Sequence, residues 1–248
     1  MLKIENVDIY GWEAAIRGMR NPLESYNKSD SAFQHGDDYL TINDDTADSE
    51  FIAEQIASGR LYERAFIGPN DYKLMQNLCK GGSEESKWRR FVHVTCDITA
   101  PLYFYKQLDV YRAGVEKNSC STMHKIHAKE FTRDDFSCDK LISADEYFDE
   151  LPNGLIVGDF DKALEVTIMA LNDARELYLQ TKDKKFWYQM IQLLPSSYNQ
   201  RRTYEFNYES LANIYRQRKS HKLDEWHQFC DWEKELPYSE FITLEAPN

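Results

Sequence analysis

The 248-residue sequence predicts an α+β fold, with a few antiparallel strands among many helices. In residues 91–100, apolar side chains alternate with polar ones, which is the period of a half-buried strand. Residues 198–206 divide in the same way between two faces, and several other segments repeat apolar residues at helical spacing. A chain of this length suits one large or two small domains and buries enough surface to fold without a disulfide or a metal. We expect a single domain over residues 1–248.

Before the first predicted strand, the sequence indicates one long loop and two helices. Residues 27–50 are polar and acidic with few apolar side chains, which predicts a long surface loop. Residues 51–61 have near-helical apolar spacing. Residues 71–79 predict a second short helix, which ends at Gly81 and Gly82.

The strand at 91–100 leads into a predicted helix at 102–112, which carries Gln107 and Arg112. Residues 118–124 are small and polar, with too few apolar side chains to enter a core. They predict an exposed loop that is rich in hydroxyl and amide groups.

The C-terminal half of the sequence predicts a further strand and several helices. The helices are expected at 159–180, 186–194, 208–219 and 223–235. In the strand at 198–206, one face carries Arg201, Thr203 and Glu205 together. Asn207 follows that strand and is a suitable N-cap for the next helix.

Charge and cysteine usage exclude several classes of protein. The 30 basic and 42 acidic residues give a net charge of −12, which argues against binding to duplex nucleic acid or to an anionic membrane. The five cysteines are odd in number and widely spaced, as in a reducing compartment. Because the sequence shows neither a signal peptide nor a membrane span, we expect a cytoplasmic protein.

The remaining motifs give weak signals. His124 and His127 lie three residues apart near Cys120, but no second ligand pair stands at a set spacing, so we expect no metal site. The sequence contains no nucleophile elbow, no phosphate-binding P-loop and no dinucleotide fingerprint.

Cationic side chains concentrate in the C-terminal third of this acidic protein, at Arg201, Arg202, Arg216, Arg218, Lys219 and Lys222. The planar guanidinium group suits bidentate recognition of a phosphate, so these residues could converge on a nucleotide. Alternatively, they form the solvated end of a helix and complement its dipole.

Residues 193–218 (LLPSSYNQRRTYEFNYESLANIYRQR) contain a proline, an arginine, an asparagine, a Ser-Leu pair and a second arginine, at Pro195, Arg201, Asn207, Ser210, Leu211 and Arg218. With these spacings and without a gap, the segment resembles the C-terminal strand and helix of the flavin-dependent thymidylate synthases. Upstream, residues 92–112 are similar to the strand, Ala-Pro pair and Gln-containing helix that lead into the family's signature.

The signature R-H-R-x-x-S-x-N-E-x-S-x-R itself is only partly kept. Its first three positions retain only Arg112, and the preceding H-x-S-P-F-E-H element is absent at 85–91. With one inserted residue, Asn118 and Ser121 are retained, the acid is lost, and Met123 replaces the final arginine.

The resemblance implies a homotetramer with a twisted antiparallel sheet flanked by helices. It implies methylation of dUMP to dTMP, with FAD as cofactor and with NADPH and methylenetetrahydrofolate as co-substrates. By motif position, the residues facing the nucleotide would be Gln107, Ser121 and Arg201, with Ser121 also catalytic. Those facing the flavin would be Arg112, Asn118 and Arg218.

Other interpretations remain open. The lost signature positions also fit a relative that makes a different C5 modification of a pyrimidine nucleotide, or a non-catalytic nucleotide-binding or structural protein on the same fold. Singly, Gln107 could satisfy a backbone group, Arg112 could cap a helix, Ser121 could be a loop hydroxyl, and Arg218 could pair with an acid of the next helix.

Overall fold

The computed structural model describes residues 2–33, 65–147 and 158–244, which form two compact units. The first unit contains Thr99–Val110 and the described part of Asn118–Arg202, with residues 2 and 3. The second unit contains the rest of the described chain. The predicted helix at 51–61 and most of the predicted acidic loop lie outside the described residues.

Six strands are described: β1 (Lys3–Tyr10), β2 (Ala32–Phe33), β3 (Ala65–Phe66), β4 (His93–Pro101), β5 (Val115–Ser119) and β6 (Asn199–Asn207). Four of them form an antiparallel sheet in the order β1-β4-β6-β5, as predicted for the α+β fold. Backbone hydrogen bonds fix the register of β4 and β6: Tyr208 N donates to Val92 O, and Leu102 N donates to Tyr198 O, each at 3.0 Å. The short strands β2 and β3 pair separately.

Ten α-helices lie in the described ranges: α1 (Trp12–Arg20), α2 (Pro69–Lys80), α3 (Leu102–Leu108), α4 (Thr122–Lys125), α5 (Ala144–Tyr147), α6 (Phe160–Thr181), α7 (Lys184–Leu193), α8 (Tyr208–Arg218), α9 (Asp224–Lys234) and α10 (Glu240–Thr243). Side-chain caps define the starts of some of these helices. Asp159 accepts a 2.8 Å bond from Lys162 N at the start of α6, and Asn207 forms a capping box with Ser210 at the start of α8. None of these helices is long and apolar enough to cross a membrane.

The first unit has its own apolar core, in which α6 and α7 pack on the chain that follows β5. The buried members of this core are Ile126, Phe131, Phe136, Leu164, Leu171, Ala174 and Met190. Because three of them belong to residues 126–136, burial fixes the path of the chain there.

The described part of the second unit is built around aromatic side chains and a buried ion pair. Trp12, Trp226 and Phe241 are almost completely buried. Arg20 Nε donates to Asp71 Oδ1 at 2.6 Å, and both side chains are buried. Burial would raise the pKa of the Asp71 carboxyl, but hydrogen bonds from serine hydroxyls, Arg20 and a backbone amide outweigh it and lower that pKa.

Two local predictions need correction. The helix predicted at 102–112 ends at Leu108, because the chain turns at Asp109, whose carboxylate pairs with Arg202. Residues 118–124 were expected to form a loop, but Asn118 and Ser119 belong to edge strand β5, which pairs through its backbone and needs no apolar alternation. The following residues form the single-turn helix α4.

Candidate functional site

A cavity of about 460 Å³ lies in the first unit, a volume within the range of small-molecule sites. Its walls come from the start of β6, the chain after β5, α4 and the segment up to residue 135. The lining side chains that matter for its chemistry are Cys120, Ser121, Lys125, Lys129, Tyr198 and Arg201.

Strand alternation separates the two adjacent arginines of β6. Arg202 points inward, where its guanidinium binds both carboxylate oxygens of Asp109 at 2.9 and 3.1 Å and stacks 3.8 Å from the Tyr105 ring centre. Its Nε also donates to Gln200 Oε1 at 2.8 Å. Arg201 points outward, is exposed, and lines the cavity. Only Arg201 of this pair therefore faces a possible ligand.

Pairing of the chain after β5 with β6 brings Ser121 to the same cavity. Cys120 N donates to Arg201 O at 3.0 Å, and the Gln200 side chain donates to Cys120 O. Ser121 Oγ then accepts a 3.1 Å bond from His124 N and caps α4. Its hydroxyl hydrogen can still be donated to a ligand.

Among the described residues, the cavity is lined by four cationic side chains, Lys3, Lys125, Lys129 and Arg201, and by the carboxylates of Asp134 and Asp135. Lys129 forms an ion pair with Asp135, and this hydrogen bond raises the pKa of the lysine. Tyr198 lies at the same wall, and its pKa is raised by burial first and by the Asp135 charge second. The described part of the lining therefore carries an excess of two positive charges and favours anionic ligands.

No protein-family model and no curated protein sequence matches the chain. Its structure is nevertheless similar to solved structures over almost its entire length. Two are crystal structures of flavin-dependent thymidylate synthase ThyX from Helicobacter pylori with FAD and dUMP. The first has a TM-score of 0.60 and a sequence identity of 17%, and the match covers 99% of this chain and 98% of the other. The second has a TM-score of 0.59 and a sequence identity of 16%, and the match covers 98% of each chain. A third is the UMP/dUMP methylase PolB from Streptomyces cacaoi bound with 5-Br dUMP, with a TM-score of 0.52 and 15% identity over 98% of this chain and 95% of the other.

The chain has the fold of the flavin-dependent thymidylate synthases. The resemblance that was inferred from two sequence segments is thereby confirmed for the fold. Within this thymidylate synthase fold, two of the three residues expected to face the nucleotide, Ser121 and Arg201, line one cavity. The third, Gln107, is half-buried on α3 and is not among the described residues that line it.

The three residues expected to face the flavin divide between the units of this fold. Asn118 lies in the first unit, exposed on β5. Arg112 lies in the second unit, exposed and without a polar partner among the described residues. Arg218, also in the second unit, donates from Nε to Tyr111 Oη at 2.8 Å, and its guanidinium lies 4.8 Å from the centre of the Trp226 ring.

Several lining residues were missed by the sequence analysis. Lys125 and Lys129 lie four residues apart, shortly after Ser121 in the sequence. This spacing is the one sequence signal that could have indicated that both lysines line the cavity. Asp134 and Asp135 follow, and nothing in the sequence connects them to Arg201.

The two histidines that stand three residues apart, His124 and His127, belong to the segment that lines the cavity, but their side chains have different surroundings. His124 is exposed, whereas His127 packs edge-on against Tyr178 at 5.0 Å between ring centres. In the described ranges, no three or more His, Cys, Asp or Glu side chains are placed to hold a metal ion.

Proposed function

We propose that this chain methylates dUMP to dTMP as a flavin-dependent thymidylate synthase-like enzyme. The observation that carries the proposal is the shared cavity of Ser121 and Arg201, two residues from separate motifs that the resemblance assigns to the nucleotide. The excess of positive charge in that cavity, within a protein of net charge −12, supports an anionic ligand.

In this proposal the nucleotide lies in the cavity of the first unit. The exposed guanidinium of Arg201 binds a phosphate through parallel N–H bonds, and the Ser121 hydroxyl donates to the nucleotide while its oxygen keeps the α4 cap. The resemblance also assigns Gln107 to the nucleotide and Ser121 to catalysis.

FAD is the proposed cofactor, and the donor chemistry of the assigned residues fits its anionic pyrophosphate. Arg112 and Asn118 offer exposed guanidinium and amide groups, and Arg218 holds a guanidinium oriented by Tyr111. The reduced flavin would supply hydride, with NADPH as its reductant and methylenetetrahydrofolate as the one-carbon donor. The chain's own contribution is to bind and orient the two anionic ligands.

We also propose a homo-oligomer, in particular a homotetramer, located in the cytoplasm. Exposed apolar side chains on α6 support association: Val166 is 58% exposed and Met169 is 65% exposed. Leu177 continues this surface three helical turns after Val166, and it is 41% exposed.

A second candidate reaction, a different C5 modification of a pyrimidine nucleotide, is favoured by the altered signature. Met123 stands where the signature has its last arginine, and its side chain is 50% exposed. Mass spectrometry of the product decides between the reactions, because only methylation gives a product with the mass of dTMP.

The decisive experiment measures tritium release from [5-³H]dUMP by the purified protein with FAD, NADPH and methylenetetrahydrofolate. We expect FAD-dependent release, a dTMP product, and a loss of dUMP affinity of at least about 10-fold in Arg201→Ala. Arg216→Ala is the matched control, since this arginine is exposed on α8 and bonds only locally to Asn213 among the described residues.

Three results would contradict the proposal: a protein that binds no FAD, wild-type protein that releases no tritium, or equal loss of affinity in both arginine variants. Release of tritium with a product other than dTMP would instead establish the second candidate.

A further inference from the structure

One cation of the first-unit cavity stands without a partner. Lys125 lines the cavity, is exposed, and forms no side-chain hydrogen bond or ion pair with any described residue. Lys129, on the same wall, is instead neutralised by Asp135. The charge of Lys125 is therefore available to a ligand.

The backbone beneath Lys125 is fixed from three sides. Its N–H donates to Ser121 O at 3.2 Å and closes the turn of α4. Trp187 Nε1 donates to Met123 O at 3.1 Å, and the neighbouring Ile126 is 4% exposed within the apolar core. Because the turn is held in place, only the lysine side chain has to be ordered when a ligand binds.

The position of Lys125 matches a charge that the chain has lost. The family signature ends in an arginine that Met123 replaces here, and Lys125 follows two residues later in the same helical turn. The lining residues that the structure describes nevertheless carry an excess of two positive charges, which matches a dianionic phosphate monoester.

We propose that Lys125 binds the phosphate of the nucleotide and makes the cavity selective for phosphate monoesters over uncharged nucleosides. The inference rests on the proposed function in taking the ligand to be a pyrimidine deoxynucleotide. Lys125 is assigned to binding and specificity and takes no part in the chemical step. Lysine binds phosphate as a point charge, so an arginine at this position would serve as well.

Calorimetric titrations of the full chain test this assignment, with dUMP, deoxyuridine and inorganic phosphate as ligands. The proteins are wild type, Lys125→Ala, Lys125→Arg and the control Lys162→Ala, which removes an exposed lysine of α6 that does not line the cavity. Ligand-observed NMR covers deoxyuridine if its heat is too small, and circular dichroism checks that each variant is folded.

We expect Lys125→Ala to weaken dUMP binding by roughly 10-fold and to leave deoxyuridine binding unchanged. Lys125→Arg should restore most of the dUMP affinity, and Lys162→Ala should bind like wild type. The salt dependence of dUMP binding should also be shallower in Lys125→Ala, because one ionic contact is lost.

The proposal is overturned if Lys125→Ala binds dUMP like wild type, or if it loses dUMP and deoxyuridine equally. The outcome for the proposed function is separate. A wild-type protein that binds inorganic phosphate through Lys125 but binds no dUMP would refute the proposed function alone. Absence of binding to both ligands would refute both.

Discussion

Two regions of this chain carry arginines that look equivalent in the sequence but have different surroundings in the structure. At the start of β6, Arg201 opens onto a cavity in the first unit. At the end of α8, in the second unit, Arg218 is half-buried beside Tyr111 and Trp226. Arg201 therefore presents its charge to the cavity, whereas the Arg218 guanidinium is already held in place by contacts with Tyr111 and Trp226.

The difference shows that a cluster of cationic residues in a sequence does not by itself define a binding site. Arg201 and Arg202 are adjacent, but successive side chains of a strand point to opposite faces. Arg201 is therefore exposed, whereas Arg202 packs against Asp109 and Tyr105. The strand face and the local partners, rather than the local charge density, decide which arginine can contact an anion.

The largest expected effect on stability is that of Arg202→Ala. This side chain is 12% exposed and would lose its ion pair with Asp109 and its stacking on Tyr105. We expect a loss of about 3 kcal/mol in the free energy of unfolding, measured by urea denaturation. Arg201→Ala is the matched control and should change this free energy by less than about 0.5 kcal/mol. Equal losses in the two variants would show that the strand faces are assigned wrongly.

The second prediction concerns Arg218→Ala in the other region. Removal of the guanidinium breaks its hydrogen bond to Tyr111 and its contact with the Trp226 ring. The free energy of unfolding should therefore fall by about 1–2 kcal/mol. Arg218→Lys keeps the charge but not the planar group, and we expect it to recover less than half of this loss. Full recovery by lysine, measured in the same urea titration, would contradict a role for stacking.

The pH dependence of stability tests the buried polar groups of the same region. Glu233 is fully buried on α9, and burial raises the pKa of its carboxyl well above the usual 4.5. The native state therefore keeps a proton that the unfolded chain releases, so this group makes stability fall as the pH rises above about 4.5. Cys230 does not titrate in this range, because burial and Glu233 raise the pKa of its thiol to about 12.

Glu233→Gln removes this proton release without changing the side-chain shape. We expect the variant to match wild type near pH 4.5 and to become increasingly more stable than wild type as the pH rises towards 8, measured by urea denaturation across the pH range. Glu235→Gln, at an exposed position on the same stretch of chain, should leave the wild-type pH profile unchanged. A Glu233→Gln profile parallel to wild type would mean that Glu233 is ionised in the native state.

The smallest effect is expected for Arg216→Ala. Arg216 is exposed on α8 and bonds to Asn213 within the same helix, an interaction worth a few tenths of a kcal/mol. Stability should change by less than about 0.5 kcal/mol, as judged from the urea midpoint. A loss as large as that of Arg218→Ala would show that the Arg216 side chain makes a further stabilising contact.

Much of the fold could be predicted where the local sequence pattern of a segment agrees with the position that the segment takes in the folded protein. The alternation of β6 and the Asn207 cap of α8 are both found in the structure. Strand β1 was missed because Asn6 takes a left-handed backbone with φ 52°, which interrupts the period of two between Ile4 and Val7. The early end of α3 depends on the Asp109–Arg202 pair, whose members are far apart in the sequence.

The candidate site could be predicted only in part. Motif spacing indicated Arg201 and Ser121, and the alternation of β6 placed Arg201 on one face with Thr203 and Glu205, separate from Arg202. Lys125 and Lys129 could not be assigned, because their place at the cavity depends on long-range pairing of the chain after β5 with β6. Sequence spacing does not reveal such pairing.

The central claim is that the cavity of the first unit binds the nucleotide, and a crystal structure of the chain grown with dUMP tests it most directly. We predict dUMP in this cavity, with its phosphate at hydrogen-bond distance, about 3 Å, from the Arg201 guanidinium. An ordered dUMP bound elsewhere, with Arg201 in contact with no part of it, would contradict the account.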